Sequence, residues 1–311
     1  MTRISRAVRR LAHDPAGTLQ RARLELRLRG LERSNRRTTS PVTGDGACVV
    51  NLTSHGHRIA TVHLAIESIA AGSVRPARLI LWLDDEQALR TLPEPLVRLR
   101  ARGLEILPTP DYGPHKKQYS YASTQPATFP LVTADDDVLY PRTWLADLLH
   151  GAAETPGVVL GPRTHTVVLT GDGIAPYAQW RPGVGTAPSY RTLVTGVSGV
   201  LYPPEFLAAL RDEGERFRTV APRADDIWVH SVAVRHGFRS RQLGERQAEY
   251  PEIPGTGRNT LYRENVVLGG NDTWIAASYG TAEVARMRRD DPSDRDVLAT
   301  VTEEPAQDGR A

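Results

Sequence analysis

Phe129-Pro130-Leu131-Val132-Thr133-Ala134 runs directly into Asp135-Asp136-Asp137, and Val138-Leu139-Tyr140-Pro141 follows. A short apolar run closed by a proline at each side reads as a buried strand. Three carboxylates crowded at the carboxyl end of such a strand repel one another unless a cation sits among them. The usual partner is a hard divalent ion, Mg²⁺ or Mn²⁺, often shared with substrate phosphates. A solvated acidic turn is the competing reading of the triplet by itself, so the decision falls to its surroundings.

Those surroundings alternate. Ala47 to Thr53 is an apolar strand that closes in Ser54-His55-Gly56-His57-Arg58, and a helix over Ile59 to Ala71 follows, with Ile59, Val62, Ile66 and Ile69 on one face and Gly72 as its stop. A second strand, Ala77 to Leu83, ends in Asp84-Asp85, and a helix over Glu94 to Arg102 leads to a third strand, Leu104 to Leu107. This β-α-β-α-β order specifies an α/β fold with a mostly parallel sheet and helices on both faces. Ligands of such sheets bind at the carboxyl ends of the strands. Thr53, His55, Arg58, Asp84 and the Asp135–Asp137 triplet all fall there, and this convergence outweighs any single motif.

Composition narrows the class. The chain has 311 residues, 40% hydrophobic and 24% charged, with one cysteine and a formal net charge of +3. Length and composition suit one large soluble α/β unit or two modest ones, and a lone cysteine excludes a disulfide framework and fits a reducing compartment. No run approaches the ~20 apolar residues of a membrane span, and no apolar h-region of a secretory signal is evident, so the expected location is cytoplasmic. The small positive excess comes from the N-terminal segment and does not describe a nucleic-acid-binding face. Arginine supplies nearly every basic residue; the only lysines, Lys116 and Lys117, stand side by side at the start of a short helix after Asp111-Tyr112-Gly113-Pro114-His115. Lysines at a helix start suit diphosphate oxygens, and a plain solvated turn is the alternative.

Residues 1–37 carry arginine at positions 3, 6, 9, 10, 21, 23, 27, 29, 33, 36 and 37, with leucines 24, 28 and 31 at helical spacing. This reads either as a basic amphipathic helix in peripheral contact with an anionic membrane, at the inner face, or as a helix packed on the domain. Residues 34–46 read as a linker. The expected division is a basic helical extension and linker over 1–45, a main domain over 46–285 with a break near 175/176, and a disordered tail over 286–311 rich in Asp, Glu, Pro and Ser.

The second half carries its own acidic site. Asp225-Asp226 opens a helix, Ile227 to His236, closed by Gly237. Capping is the bland explanation of carboxylates in a first helical turn; beside a metal-type triplet they also suit a catalytic base. Thr195-Gly196-Val197-Ser198-Gly199-Val200 resembles a nucleophile elbow only superficially, since Val200 stands where the second glycine belongs. A serine hydrolase is rejected on that ground, and Ser198 and Gly199 are kept as acceptor-side candidates with Trp180, an aromatic suited to stacking on a sugar.

Taken together, the strand ending in Thr53 to Arg58, the strand-borne Asp135–Asp137, the Gly199 segment and Ala224-Asp225-Asp226-Ile227-Trp228 resemble GT-A type glycosyltransferases, similar to family 2 and to small bacterial cell-surface polysaccharide enzymes. The resemblance spans roughly residues 47–275. It implies a single GT-A (Rossmann-like) mixed sheet flanked by helices, with 46–175 the nucleotide-sugar half and 176–285 the acceptor half. It further implies a nucleoside diphosphate sugar donor, a glycan or lipid-linked acceptor, and Mn²⁺ or Mg²⁺ held by the D-x-D carboxylates, Asp137 as direct ligand and Asp135 near the ribose or the metal. Asp136, Thr53, His55, Arg58, Asp84, Lys116 and Lys117 fall to the donor; Asp226 falls to the catalytic base with Asp225 beside it, where the family commonly has Glu. Asp272 and His230 are the candidates for a further metal ligand. Two other readings stay open: a phosphatase of the haloacid dehalogenase type, because Asp135-Asp136-Asp137-Val138 loosely fits its D-x-D-x-[TV] loop, and a non-catalytic sugar or nucleotide binder on the same fold.

Overall fold

The computed structural model describes residues 15–171, 173–256 and 263–290. Helix α1 spans Pro15–Arg37, and β1, Gly46–Thr53, leads through a single 3-10 turn to α2, Val62–Ala70. Then come β2, Pro76–Leu83, the short α3, Glu86–Arg90, α4, Glu94–Ala101, and β3, Leu104–Pro108. Helix α5 covers Lys116–Thr124, β4 Leu131–Thr133, and α6 Trp144–Glu154. The second half is built of shorter pieces: β5, Val159–Gly161; β6, Thr164–Thr166; β7, Leu169–Thr170; β8, Gly173–Ile174; β9, Arg181–Pro182; β10, Thr192–Val194; and β11, Val200–Tyr202. It closes with α7, Pro204–Asp212, α8, Phe217–Val220, α9, Asp225–His236, β12, Ser240–Gln242, α10, Gly270–Ser278, and α11, Thr281–Arg288.

Seven strands form the main sheet, in the order β12-β5-β11-β4-β1-β2-β3. The neighbours of β1 and β2 run parallel, as the β-α-β alternation requires. The departure from an all-parallel sheet is β11, which pairs antiparallel with both β4 and β5. Register explains its effect: Asn51 lies opposite Thr133, and Thr133 opposite Val200, so the start of β11 meets the carboxyl ends of β1 and β4. The loop that leads into β11 is thereby delivered to the edge where the Asp triplet emerges. The expectation of an α/β mixed sheet flanked by helices holds.

Alternation along the strands feeds two cores, because successive side chains leave opposite faces of a pleated strand. Cys48, Val50 and Leu52 of β1, with Leu79, Leu81 and Leu83 of β2, face the layer of α2, α4 and α6. Val49, Ile80 and Trp82 face the layer that contains Tyr119, Phe206, Phe217 and Trp228. Full burial of one such aliphatic side chain contributes on the order of 2 kcal/mol. Helix α1 joins the first layer through Leu31, with Leu24 and Leu28 packed beside it. At the other end, α11 runs past residue 285 to Arg288, and buried Asp290 accepts the Tyr190 N–H at 2.7 Å. Residues 1–14 and 291–311, which carry the remaining parts of the extension and tail expectations, lie outside the described residues.

One glycine is indispensable to the junction. Gly199 has φ +91°, and a Cβ there would lie 2.6 Å from the Trp144 ring, whose Nε1 donates to the Ser198 carbonyl at 3.0 Å. Strain and overlap add, so Gly199→Ala is expected to lower stability by roughly 2–4 kcal/mol. Urea unfolding followed by tryptophan fluorescence reads this directly; a loss of a few tenths would contradict the packing described.

Candidate active site

The Asp triplet leaves β4 as a turn, and its three members part company. Asp136 points inward: it is 5% exposed, Ser54 Oγ donates to its Oδ2 at 2.6 Å, and Arg58 reaches its Oδ1 at 2.9 Å. The same Arg58 nitrogen lies 3.1 Å from Asp137 Oδ2, so one buried guanidinium bridges two neighbouring carboxylates. Asp135 takes a third course. Its N–H donates to Tyr140 Oη at 2.7 Å, and its Oδ1 accepts from Lys117 Nζ at 2.8 Å. Asp135, Asp137, Arg58 and Lys117 line a cleft of about 860 Å³.

Lys117 is held in place from below. Asn51, fully buried on β1, donates to the Lys117 carbonyl at 3.0 Å and fixes the first turn of α5 against the sheet. The ammonium is then aimed at both acidic sites, 2.8 Å from Asp135 and 3.7 Å from Asp225 Oδ2. Burial works against its charge, but Asp135, Asp225 and Asp226 outweigh that, and its pKa stands well above the ordinary lysine value. Lys116, by contrast, turns away and pairs with Asp84 at 2.6 Å, which joins two expected donor residues to each other.

On the opposite wall, Asp225 and Asp226 occupy the first turn of α9, where the helix dipole favours negative charge. Gln118 donates to Asp225 Oδ2 at 3.2 Å, and the Gly196 N–H donates to Asp226 Oδ1 at 3.0 Å. Gly196 is closely packed: a Cβ there would lie 3.0 Å from Lys117 Nζ and 3.3 Å from Asp226 Oδ1, so either side chain would have to shift by a few tenths of an ångström. Burial, then the neighbouring Asp225 charge, push the Asp226 carboxyl up to about 7, with Lys117 opposing. Burial and Asp135 push Asp137 to about 6 against the pull of Arg58. Asp135 is raised as well, chiefly by burial. In all three, burial raises the carboxyl and a cation, Lys117 or Arg58, opposes it, so an added cation would favour the ionised forms further.

The remaining expected site residues are placed as follows. Thr53 Oγ1 donates to the Trp82 carbonyl at 3.0 Å, and His55 is exposed beside the 3-10 turn. Ser198 lines the cleft but gives its hydroxyl to the Ala248 carbonyl at 2.7 Å. Trp180 faces the second core, with Nε1 on the Ala175 carbonyl at 2.9 Å, and it is Tyr177 that reaches the cleft wall. Neither candidate for a further metal ligand reaches the triplet. Asp272 accepts the Tyr177 N–H at 2.7 Å, and His230 is buried between Tyr279 Oη and the Tyr190 carbonyl, where burial pushes it down to about 4.

Several lining residues carry no local sequence signal. Glu252 is brought beside Asp137 by an isolated bridge to Val138 and by the Ile253 N–H donating to the Asp137 carbonyl at 2.6 Å. Arg163 and Glu249 form an ion pair at 2.8 Å on the outer wall, and Arg223 pairs with Glu264 at 2.5 Å at the rim. Such contacts cross long stretches of chain. Ser54, which supports Asp136, and Gly196, which supports Asp226, by contrast stand within segments the sequence marks.

Among the described residues, no group of three or more His, Cys, Asp or Glu side chains is arranged to hold a metal ion alone. The donor chemistry nevertheless suits a hard cation shared with a ligand. Asp137 and Asp135 are oxygen donors with raised pKa values, and a Mg²⁺-type ion commonly takes one or two carboxylates and completes its shell with phosphates and water.

No protein-family model and no curated protein matches the sequence. Solved structures do show a likeness. The mannosyltransferase PcManGT from Pyrobaculum calidifontis, in complex with GDP-Man and Mn²⁺, aligns over 93% of this chain and 86% of its own, at 12% identity and a TM-score of 0.46. S. aureus TarS 1–349 aligns over 84% and 76%, at 15% identity and 0.45. GalNAc-T7 with UDP, GalNAc and Mn²⁺ aligns over 73% of this chain, at 13% identity and 0.43, and the aligned part spans 49% of that protein's chain. At these TM-scores the functional argument rests on the site itself.

Proposed function

We propose that this chain is a glycosyltransferase of the GT-A type, which moves a sugar from a nucleoside diphosphate sugar to an acceptor hydroxyl with inversion, in the synthesis of a glycan or a lipid-linked glycoconjugate. The observation that carries the reading is the placement of two acidic sites on opposite walls of one cleft, joined by Lys117. Each site has a task that the other cannot perform. Asp137 and Asp135 would hold Mn²⁺ or Mg²⁺ against the donor diphosphate, and the ion, when bound, would shield the charge that develops on the leaving group. Arg58 and Lys117 supply fixed positive charge on the same wall. Asp226, raised to about 7, is matched to accepting a hydroxyl proton near neutral pH, and this is the base that a single inverting displacement needs on the acceptor side.

The chain's own carboxylates do not form a complete metal cage, which yields a specific expectation. Titration calorimetry should show no tight Mn²⁺ site without nucleotide, and UDP or GDP binding strengthened at least tenfold when Mn²⁺ is present. Asp137→Asn should remove that gain. Mn²⁺-independent nucleotide binding would overturn the metal assignment, and turnover of simple phosphate esters in place of sugar transfer would overturn the transferase.

A further inference from the structure

We infer that the outward face of α1 is a docking surface for an anionic lipid membrane. The helix has two faces with different chemistry. Its inner face is fastened to the domain: Leu31 is 7% exposed, Asn35 is 1% exposed and donates to buried Glu67 at 3.0 Å, and His63 Nε2 lies 3.0 Å from Glu32. Arg27 reaches the Tyr140 carbonyl at 2.5 Å. These ties fix α1 to the sheet layer, so the opposite face is held at a defined orientation to the cleft.

That opposite face carries Leu19, Arg23, Leu26, Arg33 and Arg37, which recur at helical spacing, with Arg29 and Arg36 flanking. All are exposed, the leucines 53% and 67%. The only acids on the helix are Glu25 and Glu32; they stand 3.7 Å from Arg29 and 3.9 Å from Arg36, both of which are exposed, and Glu32 is itself half-buried beside His63. Pairs of that kind neutralise little. Beside the helix, Arg29, Arg33, Arg36 and Arg37 also line a groove of about 560 Å³ with Leu28 and Leu64, where Glu32 is the one acid against four arginines. Charge complementarity selects an anionic partner, and the two projecting leucines select one with an apolar interior, which a nucleic acid lacks. An interfacial helix presents this combination of a basic face and a few apolar side chains. No helix among the described residues is long and apolar enough to cross a membrane, so the contact is superficial.

The inference is independent of the transferase reading, because the test needs neither donor nor acceptor. Full-length chain is sedimented with vesicles of phosphatidylcholine, or of phosphatidylcholine mixed with phosphatidylglycerol, at rising salt. Binding is expected only with the anionic lipid, weakening as salt rises. At roughly fivefold per basic residue near the surface, the variant Arg23→Glu/Arg29→Glu/Arg33→Glu/Arg37→Glu should bind more than a hundredfold more weakly. Leu19→Ser/Leu26→Ser should lose the fraction of binding that resists salt, whereas Arg216→Glu/Arg218→Glu, on the other side of the sheet, should bind as the parent does. Thermal melting of each variant checks that the domain is folded. Equal binding to both vesicle types, unaltered binding by the quadruple variant, or displacement from vesicles by inorganic phosphate alone would overturn the inference, as would a preference for duplex RNA over the vesicles.

Discussion

Asp226→Asn is expected to lower the rate of sugar transfer by about 10²–10⁴-fold, the usual contribution of a positioned general base, while donor binding stays within a few fold of the parent. The separation follows from geometry. Asp226 sits at the start of α9 and accepts from Gly196, and the donor-side carboxylates lie beyond Lys117. The pH profile gives a second reading. Asp226 faces Asp225 on its own helix, Lys117 on α5 and Asp135 after β4, and its carboxyl stands at about 7. A base must be ionised to accept a proton, so transfer should rise with pH through about 7 and level off above it. The stability effect has the opposite sign. The folded pKa lies above the unfolded value of ~3.9, so the folded state holds a proton that the unfolded chain has released, and stability is lost as pH rises through about 7. Asn cannot ionise; the variant should therefore melt higher than the parent at pH 8, with the gain shrinking as pH falls towards 4. A variant with unchanged transfer, or one that melts lower at pH 8, would remove Asp226 from the role assigned to it.

Arg58→Ala is expected to give the largest loss of stability among single substitutions at the site. Its side chain is 10% exposed, and its guanidinium bridges Asp136 and Asp137 at 2.9 and 3.1 Å. Deletion leaves Asp136, 5% exposed, with Ser54 as its hydrogen-bond donor. Breaking one partner out of a buried ion pair costs about 3–5 kcal/mol, because the remaining charge stays desolvated. The same reasoning predicts partial rescue: Arg58→Ala/Asp136→Asn should recover part of the loss, since the more deeply buried of the two carboxylates then carries no charge, while Asp137 still lacks its counterion. A double-mutant cycle in urea measures the coupling. Additive losses would show that the bridge contributes nothing as a pair.

The frame of this molecule is written in local pattern. Apolar runs at Ala47–Thr53 and Ala77–Leu83 gave β1 and β2, Gly237 closes α9 with φ +82° as a C-terminal glycine does, and Lys116 and Lys117 do open a helix. Residue chemistry also singled out Asp135, Asp137, Lys117 and Asp226, which meet at one cleft. What local pattern lacks is direction and distance. Nothing in Val200–Tyr202 says that β11 runs antiparallel between β4 and β5, because a three-residue strand carries too little periodicity to declare its neighbours. The inward turn of Asp136 depends on Arg58 and Ser54, some eighty residues earlier. Glu252 gains its place through a backbone bridge to Val138. Trp180 was read as a stacking surface from its type alone, and burial against the second core decided otherwise.

The place of β11 in the sheet has a consequence for how the chain is made. Strands β4 and β5 are complete by Gly161, yet Val200, which begins the strand that joins them, follows 39 residues later (200 − 161). At the ~5–20 residues per second of synthesis, their facing edges wait roughly two to eight seconds, unpaired, before the wedge arrives. A nascent chain in that interval exposes backbone able to pair with another copy. The segment up to residue 175, released alone, would keep those open edges permanently, and expression of that segment by itself should give aggregated protein.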